Sequence, residues 1–441
     1  MKPSCHTKIE SNPSVSEKVL LLRKHHKVSQ EVLAEIIQTR KERIVAIERG
    51  DNEYTQTQLA VIKKEFDIEN LPLTAHERDI FKGRLYHWRS HIRARRLSEA
   101  RQIYKETAHA ANMEPYDPDM AMLHKLIETQ MLSAEGDFAT AEAKLDVLEG
   151  SIGRMSDECL YHYYYNCGFL YINRGQYADS LPYFLQAYDH KEGMDGFLPD
   201  DDKWLCYNIA GCYTFIDMPY LAIHFAHKIK DITDDYGIWL DNMLAQNYIY
   251  TNQLKEAKKL LDKSLIKAES IKDHETVGYI MFCNGLLYKK AEQWTEAIRY
   301  FNEALEYYPN GSDMYFFTLY HKGICTIKTR AFIDAQKLGE HAKKIYGTHK
   351  RWSIYFETLG HMVIVSSHMT SYNDESTDYI ESVAISHFIK HHDYLFALEC
   401  YQLLEQHYKK CRRNTRSFEM TKEILSIYMR CFANHEEVQK L

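Results

Sequence analysis

The sequence predicts an all-α protein that is built largely from repeated helical hairpins. A small residue with aromatic neighbours returns about every 40 positions, which is typical of a repeat array. Only 9 prolines and 18 glycines interrupt the 441 residues, which favours long helices joined by short turns. Because a chain of this length is too long for one compact core, repeats or several domains are expected.

Four short helices are predicted in the first seventy residues. Ser14 followed by Glu17, and Thr55 followed by Gln58, match the capping box that opens a helix. These two pairs mark the starts of the first and the fourth helix. Ser29 is the expected start of the second helix, because a serine side chain can accept a hydrogen bond from a free backbone N–H group.

The third predicted helix has the side chains of a DNA-recognition helix. It runs from Arg40 to Arg49 and ends at Gly50, since glycine readily adopts a left-handed cap. Ile44 and Ile47 would anchor its inner face. Donors and an acceptor for base edges cluster at the N-terminal end of this helix, on Arg40, Lys41, Glu42 and Arg43. The alternative is that the four helices form a small bundle whose charged face is only exposed to solvent.

This region resembles the XRE/lambda-repressor type of helix-turn-helix over about fifty residues. The resemblance rests on Ser29–Glu35, the turn, and the ending Ile47-Glu48-Arg49-Gly50; Gln38 departs from it, because the family usually has glycine there. The resemblance implies a dimer that reads two half-sites of double-stranded DNA. The residues that it implies as contacts are Lys41, Glu42 and Ala46 for bases, and Gln30, Arg40 and Arg43 for phosphates or bases.

A row of small residues measures the repeat in the rest of the chain. Two helices of a hairpin approach closely only where a small residue faces the partner. The first seven positions are separated by 41, 39, 42, 35, 40 and 38 residues, as expected for stacked hairpins with a concave surface. The row consists of Ala100, Ala141, Ser180, Ala222, Ala257, Ala297, Ala335 and Ala397.

The clearest repeat resembles a tetratricopeptide repeat. It extends from Gly278 to Pro309, and Tyr161–Tyr188 is similar to it. The predicted organisation is a helix-turn-helix domain in residues 1–70, a linker in residues 71–80 that contains Pro72, and an array in residues 81–441. The array is predicted to be a right-handed superhelix of about seven to nine tetratricopeptide-like hairpins. The signature residues of the clearest copy are Gly285, Tyr288, Trp294, Ala297, Phe301 and Ala304.

A repressor-type domain followed by such an array resembles, over the whole chain, the Rap/Rgg/NprR/PlcR/PrgX (RRNPP) superfamily of bacterial quorum-sensing receptors. The resemblance implies a cytoplasmic transcription regulator whose array binds a short, re-imported signalling peptide. It also implies a homodimer with contacts among the C-terminal repeats, in which the peptide changes dimer conformation or DNA binding. Two alternatives are regulation or sequestration of a phosphorelay protein, as in Rap- or NprR-like members, and an array that is a docking platform for another protein.

The repeat register places four carboxamides on the inner helices of successive hairpins. Asn166 and Asn208 occupy the same position 42 residues apart, and Asn242 and Gln246 lie on the next inner helix. A carboxamide donates and accepts together, so a ladder of them can hold an extended peptide by its backbone. The alternative is that these amides cap turns or satisfy buried backbone groups.

Aromatic and basic residues complete the predicted groove. Arg89, Arg93 and Gln130 are expected at its N-terminal end, where they would neutralise a peptide carboxylate; the alternative is a solvated helix beside the first domain. The aromatic residues expected to form side-chain pockets are Tyr165, Tyr207, Trp204, Trp239, Phe282 and Tyr320.

The sequence predicts neither an enzyme nor a cofactor or metal site. It contains no GxxxxGK[ST] phosphate loop and no GxSxG elbow. The pairs His87/His91 and His387/His391 lack the glutamate of an HExxH motif. The ten cysteines show no paired CxxC spacing, and no run approaches about 20 apolar residues, so a cytoplasmic protein with reduced thiols is expected.

The net charge argues against a general polyanion-binding protein. The whole chain carries −7, whereas residues 16–50 carry eight Lys/Arg and five Asp/Glu, which sum to +3. The first domain is slightly basic and the remainder of the chain is acidic. This distribution permits local DNA contact without general binding to nucleic acid.

Overall fold

The chain is helical throughout the part that the structure, a computed structural model, describes. The described residues are 15–68, 70–108, 117–191, 199–229, 236–347, 352–369 and 374–432. Within these ranges there is no β-strand, so the predicted all-α class is confirmed. No helix in the same ranges is long and apolar enough to cross a membrane.

Four short helices open the chain, as predicted. Ser29 accepts a hydrogen bond from the Val32 N–H group, and Thr55 and Gln58 form the expected capping box. The other predicted box lies outside the described residues, because these begin after Ser14. The bounds are α1 Val15–His25, α2 Gln30–Ile36, α3 Lys41–Arg49 and α4 Gln56–Glu65.

The turns around α3 follow the predicted chemistry. Gly50 ends the helix with a φ of 87°, in the left-handed region that glycine adopts without steric cost. Gln38, which stands where the resembled family usually has glycine, also has a positive φ of 52°. A left-handed conformation costs a residue with a Cβ about 1–2 kcal/mol, so this turn stores a small strain.

A small apolar core holds the four helices together. Val19, Leu22, Leu33, Ile44 and Ile47 are fully buried. These residues come from α1, α2 and α3, so the charged N-terminal end of α3 is anchored from its inner side.

Nine helical hairpins follow the first four helices in the described residues. Their bounds are α5 Ala75–Arg93 and α6 Leu97–Thr107; α7 Pro118–Glu135 and α8 Phe138–Glu149; α9 Asp157–Asn173 and α10 Tyr177–His190; α11 Pro199–Phe215 and α12 Pro219–His227; α13 Tyr236–Tyr250 and α14 Leu254–Ser270; α15 His274–Lys290 and α16 Trp294–Leu305; α17 Asp313–Lys328 and α18 Phe332–Tyr346; α19 Trp352–Ser367 with α20 Asp374–Tyr379, a π-helical turn Ile380–Ala384 and α21 Ile385–Lys390; and α22 Tyr394–Lys410 and α23 Asn414–Phe432.

The predicted linker is partly helical. Thr74 and Glu77 form a capping box that starts α5, so the second half of residues 71–80 belongs to a helix. The domain boundary itself stays a prediction. The chain divides elsewhere, within α10, into two compact units: Met1–Gln176 with Pro182–Gly196, and Tyr177–Leu181 with Phe197–Leu441.

The row of small residues has a single structural meaning. Its first seven members are each the fourth residue of the second helix of a hairpin, and each is fully buried. Ala397 is an exception, because it lies on α22, the first helix of its hairpin. The equivalent residues of the last two hairpins are Thr377 and Ser417, both buried, which continue the intervals as 42 and 40 residues.

Two glycines on first helices lie so close to the partner helix that no side chain fits there. A Cβ atom added to Gly285 would lie 2.4 Å from Cε1 of Phe301, and one added to Gly168 would lie 2.8 Å from Cδ1 of Phe184. Both phenylalanine rings are fully buried and lie on the partner helix. The signature glycines are therefore required by the distance between helices and not by a turn.

Candidate functional site

The four predicted carboxamides lie on first helices of consecutive hairpins, as the register predicted. Asn166 is on α9, Asn208 on α11, and Asn242 and Gln246 on α13. Asn166 belongs to the first compact unit and the other three to the second. The four side chains differ in which of their amide atoms have hydrogen-bond partners.

Asn166 is bonded to the preceding hairpin. Its Nδ2 atom donates to the carbonyl of Leu126 at 2.5 Å and to Oγ1 of Thr129 at 3.1 Å, both on α7. Its Oδ1 atom is buried and has no hydrogen-bond partner among the described residues. The donor therefore ties two helices together, and the acceptor is left without a hydrogen bond from the described residues.

Asn242 is the most isolated of the four carboxamides. Its side chain is fully buried, and neither Nδ2 nor Oδ1 has a hydrogen-bond partner in the described parts of the chain. Burying an amide without a partner costs about 1–3 kcal/mol. Buried polar groups without a partner are found at functional positions, where a ligand can supply the missing hydrogen bonds.

Gln246 joins two tyrosines on neighbouring helices. Its Nε2 atom donates to the hydroxyl of Tyr250 at 3.2 Å, and its Oε1 atom accepts from the hydroxyl of Tyr279 at 2.5 Å. Burial raises the pKa of both phenols, so they stay protonated at neutral pH. Asn208 is buried as well, with an exposure of 8%.

The predicted basic end of the groove is a packed cluster in the first unit. Arg89 is fully buried, and its Nε atom donates to Oε1 of Gln130 at 3.1 Å. Its guanidinium carbon lies 4.8 Å from the ring centre of Tyr165, and that of Arg93 lies 5.9 Å from the same ring. Cation–π contact stabilises a guanidinium in such a position. Nε2 of Gln130 is buried and lacks a hydrogen-bond partner among the described residues.

The predicted aromatic pocket residues fall into two groups. Trp239 is 37% exposed, while Trp204 and Tyr207 are half-buried with their rings 6.0 Å apart. Tyr165, Phe282 and Tyr320 are buried, Tyr165 beside Arg89 in the first unit and the other two in the apolar core of the second unit. The first group remains accessible to a ligand in this conformation, and the second group is covered by neighbouring side chains.

Five of the six predicted DNA-contacting residues lie at the N-terminal side of α3. Arg40, Lys41, Glu42 and Arg43 are exposed and Ala46 is half-buried. The Nζ atom of Lys41 forms an ion pair with the carboxylate of Glu31 on α2. Hydrogen bonding to Lys41 lowers the pKa of Glu31 to about 2.

Gln30 lies at the start of α2 and contacts α3. Its Nε2 atom donates to Oε2 of Glu48 at 2.6 Å, and Nε of Arg23 donates to Oε1 of the same carboxylate at 2.7 Å. Glu48 thus connects three helices of the first domain. These bonds fix the orientation of the charged surface on α3, a positioning role that the sequence pattern alone did not reveal.

Several polar contacts were not predicted. Lys82 and Tyr86 on α5 both bond to Glu158 on α9. In the second unit, Lys289 forms an ion pair with Glu399, which lies 110 residues further along the chain. No spacing rule relates residues so far apart, so only helix packing reveals these contacts.

The histidine pairs have no third potential metal ligand beside them in the described residues. Nε2 of His87 and Nε2 of His91 are 3.2 Å apart. No group of three or more potential ligand residues comes together anywhere in the described parts of the chain.

Comparison with known proteins identifies the fold. A family model described as Tetratricopeptide repeat matches residues 278–310. The apo form of the quorum sensor NprR from B. thuringiensis is similar, with a TM-score of 0.60 and 20% identity over 79% of this chain and 99% of that one. A Rap protein complexed with Competence and Sporulation Factor gives a TM-score of 0.64 and 14% identity over 80% and 99%.

NprR in complex with its cognate peptide NprX is also similar, with a TM-score of 0.60 and 20% identity over 78% of this chain and 98% of that one. No curated protein sequence matches the chain. The structural neighbours are thus members of the quorum-sensor superfamily that the sequence resembles, and they confirm the resemblance at the level of the fold.

Proposed function

We propose that this protein is a cytoplasmic, peptide-controlled transcription regulator that binds operator DNA through α3 and a signalling peptide through its hairpin array. The observation that carries the proposal is the exposed surface of Arg40, Lys41, Glu42 and Arg43 on α3, joined to an array with the fold of peptide-binding quorum sensors. Four adjacent polar side chains at the start of a short anchored helix suit the major groove of DNA.

The peptide side of the proposal rests on the carboxamides. Asn166 and Asn242 each keep a buried amide atom without a hydrogen-bond partner among the described residues. A peptide backbone offers the N–H and C=O groups that such atoms need. Arg89 and Arg93, gathered around the ring of Tyr165, supply positive charge for a carboxylate of the peptide.

DNA binding is tested by gel shift with promoter fragments upstream of the protein's own gene and its neighbours. Lys41→Ala and Arg43→Ala are expected to weaken binding by about 10- to 100-fold each, because a base or phosphate contact contributes about 1–3 kcal/mol. Lys337→Ala, which removes an exposed lysine of α18, is the matched control and should bind as the wild type does. If the wild type and all three variants bind DNA equally well, α3 does not contact DNA.

Peptide binding is tested by calorimetric titration of the full chain with synthetic peptides from the neighbouring small reading frame. Asn166→Ala and Asn208→Ala should weaken binding about tenfold, the effect of one lost hydrogen-bond pair. If no peptide binds and DNA affinity never changes, the array is not a peptide receptor. If a peptide binds equally to both variants, the groove face is wrongly placed and a docking platform becomes the better explanation.

A second candidate function is control of a phosphorelay protein by the array. The similarity to a Rap protein, with a TM-score of 0.64, supports it. Pull-down of response regulators by the full chain separates the two functions. A transcription regulator that acts only through DNA should retain no response regulator. A chain that binds both DNA and a phosphorelay protein would combine them.

A further inference from the structure

The last hairpin of the second unit contacts hairpins that lie far back along the chain. In a simple stack of repeats each hairpin touches only its neighbours. Here the sixth hairpin of the unit, α22 with α23, contacts the first hairpin, α11 with α12, and also the third and the fourth. These contacts therefore need an explanation other than stacking.

The first contact caps α22 from a distant turn. Asp217 lies in the turn between α11 and α12, with a φ of 59°. Its Oδ2 atom accepts a hydrogen bond from the backbone N–H of Leu395 at 2.8 Å, across 178 residues. The first N–H groups of a helix have no partner within the helix, and a carboxylate is a favourable acceptor for them. Asp217 thus holds the N-terminus of α22.

The second contact is an ion pair in the middle of the array. Lys289 on α15 pairs with Glu399 on α22, and their side chains are only 15% and 22% exposed. Nζ of Lys289 also lies 3.0 Å from Nδ1 of His321 on α17. Burial and the neighbouring ammonium lower the pKa of His321 well below its usual range, so the ring is neutral and accepts this hydrogen bond.

The third contact is apolar. Phe396, one turn before Glu399, packs against the rings of Tyr320 and His321 on α17, at centroid distances of 4.9 Å and 5.5 Å. Side chains that meet across two, three or five hairpins must lie on the inner surface of the array, because the outer surfaces of separate hairpins diverge. The helix α22 therefore occupies the inner surface of the second unit.

From these contacts we infer that Asp217, Lys289, Phe396 and Glu399 form a releasable clasp, which holds α22 against the inner surface of the second unit and so restricts ligand access to it. The clasp is an intramolecular, autoinhibitory contact. It rests on packing within the second unit alone and does not require that the ligand be a peptide or that the protein bind DNA.

The chemistry of the clasp makes it releasable. Oε2 of Glu399 is buried and has no hydrogen-bond partner among the described residues, so the carboxylate is only half satisfied. Burial, with the carboxylates of Asp393 and Glu399 adding to it, raises the pKa of Asp217. The ion pair of Lys289 with Glu399 is the charged contact of the clasp. Removal of one partner of a desolvated ion pair destabilises more than removal of both.

Hydrogen–deuterium exchange of the full chain, followed by mass spectrometry, tests the clasp. In Lys289→Gln, amides of residues 394–410 should exchange at least about tenfold faster than in the wild type, because α22 separates from the array more often. Glu399→Gln should also raise the exchange rate of these amides, because the ammonium of Lys289 then lacks its carboxylate partner. In the double variant the rate should return towards the wild-type value, since neither charge is then left without its partner.

Lys263→Gln is the matched control. It breaks the ion pair with Asp241, which lies within a single hairpin, and should leave exchange of residues 394–410 unchanged. The inference is overturned if neither clasp variant exchanges faster than this control. It is also overturned if exchange rises equally in every helix, because the ion pair would then support the whole core and not a clasp.

Discussion

Single residues set how closely the helices of a hairpin approach. Gly285→Ala places a Cβ atom 2.4 Å from Cε1 of Phe301, and that ring is fully buried and cannot move away freely. Overpacking of this kind costs about 1–3 kcal/mol, so the variant should have a lower free energy of unfolding by that amount. Urea denaturation followed by far-ultraviolet circular dichroism measures the change.

A second glycine provides the control for helix propensity. Gly339 lies inside α18, and nothing lies within 4 Å of the position that its Cβ would take. Gly339→Ala should therefore stabilise the protein by about 0.5–1 kcal/mol, because alanine is the better helix former. Loss of stability in both variants, or in neither, would contradict the assigned role of Gly285.

Buried thiols are expected to be chemically inert. Burial raises the pKa of Cys159, Cys167 and Cys283 to about 12, and the thiolate is the reactive form. Native protein treated with iodoacetamide at pH 8 should be alkylated at the half-buried Cys411 well before these three, as read by mass spectrometry. Faster labelling of the three would mean that the array opens far more often than its packing indicates.

At the scale of helices, Glu31 of α2 pairs with Lys41 of α3, one of the residues proposed to contact DNA. Lys41 is engaged by Glu31, whose pKa is about 2 against an ordinary value near 4.5. Because the folded pKa is lowered, the contribution of this pair to stability is present above pH 4.5 and is lost as the pH falls towards 2. Both groups are exposed, so salt screens the pair.

The same pair yields a prediction for DNA binding. Glu31→Gln frees Lys41 and removes a negative charge beside the DNA surface, so operator affinity should increase several-fold at low salt. The measurement is a gel shift at two salt concentrations, and the gain should shrink at the higher one. Glu65→Gln, an exposed position at the end of α4, is the control and should change little. An unchanged affinity in Glu31→Gln would remove Lys41 from the proposed contacts.

At the scale of the whole molecule, α23 carries a row of exposed apolar side chains. Phe418, Leu425 and Met429 recur at intervals of seven and four residues on one helix face, and each is about 60% exposed. Large apolar side chains in such a row commonly mark an interface. This helix therefore supports the proposed homodimer with C-terminal contacts.

Sedimentation equilibrium tests this interface. The wild type should have the mass of a dimer, and Leu425→Glu should shift it to the monomer, because a charge would be buried without a partner. Ile333→Glu alters a lone exposed isoleucine on α18 and should leave the dimer intact. A monomeric wild type, or a dimeric Leu425→Glu variant, would place the dimer contacts elsewhere or exclude them.

Elements whose cause is local could be predicted from the amino-acid sequence. Capping at Ser29 and Thr55, the left-handed end of α3 at Gly50, and the buried row from Ala100 to Ala335 were all readable, because each depends on neighbouring residues or on a fixed repeat. The prediction for this row was wrong only at Ala397, which lies on a first helix. The search for a small residue at the right interval does not distinguish the two helices of a hairpin. The helix positions of the four carboxamides followed from the same register.

Which polar groups meet could be seen only once the helices were packed in three dimensions. The bond from Asn166 to Leu126, the isolation of Asn242, the link from Asp217 to Leu395 and the ion pair of Lys289 with Glu399 all depend on how separate helices pack. A periodic pattern specifies which face of a helix points inward, but it contains no information on which distant residue will lie opposite. That choice is made by packing of the whole unit, since hydrogen bonds require atoms within about 3 Å of each other.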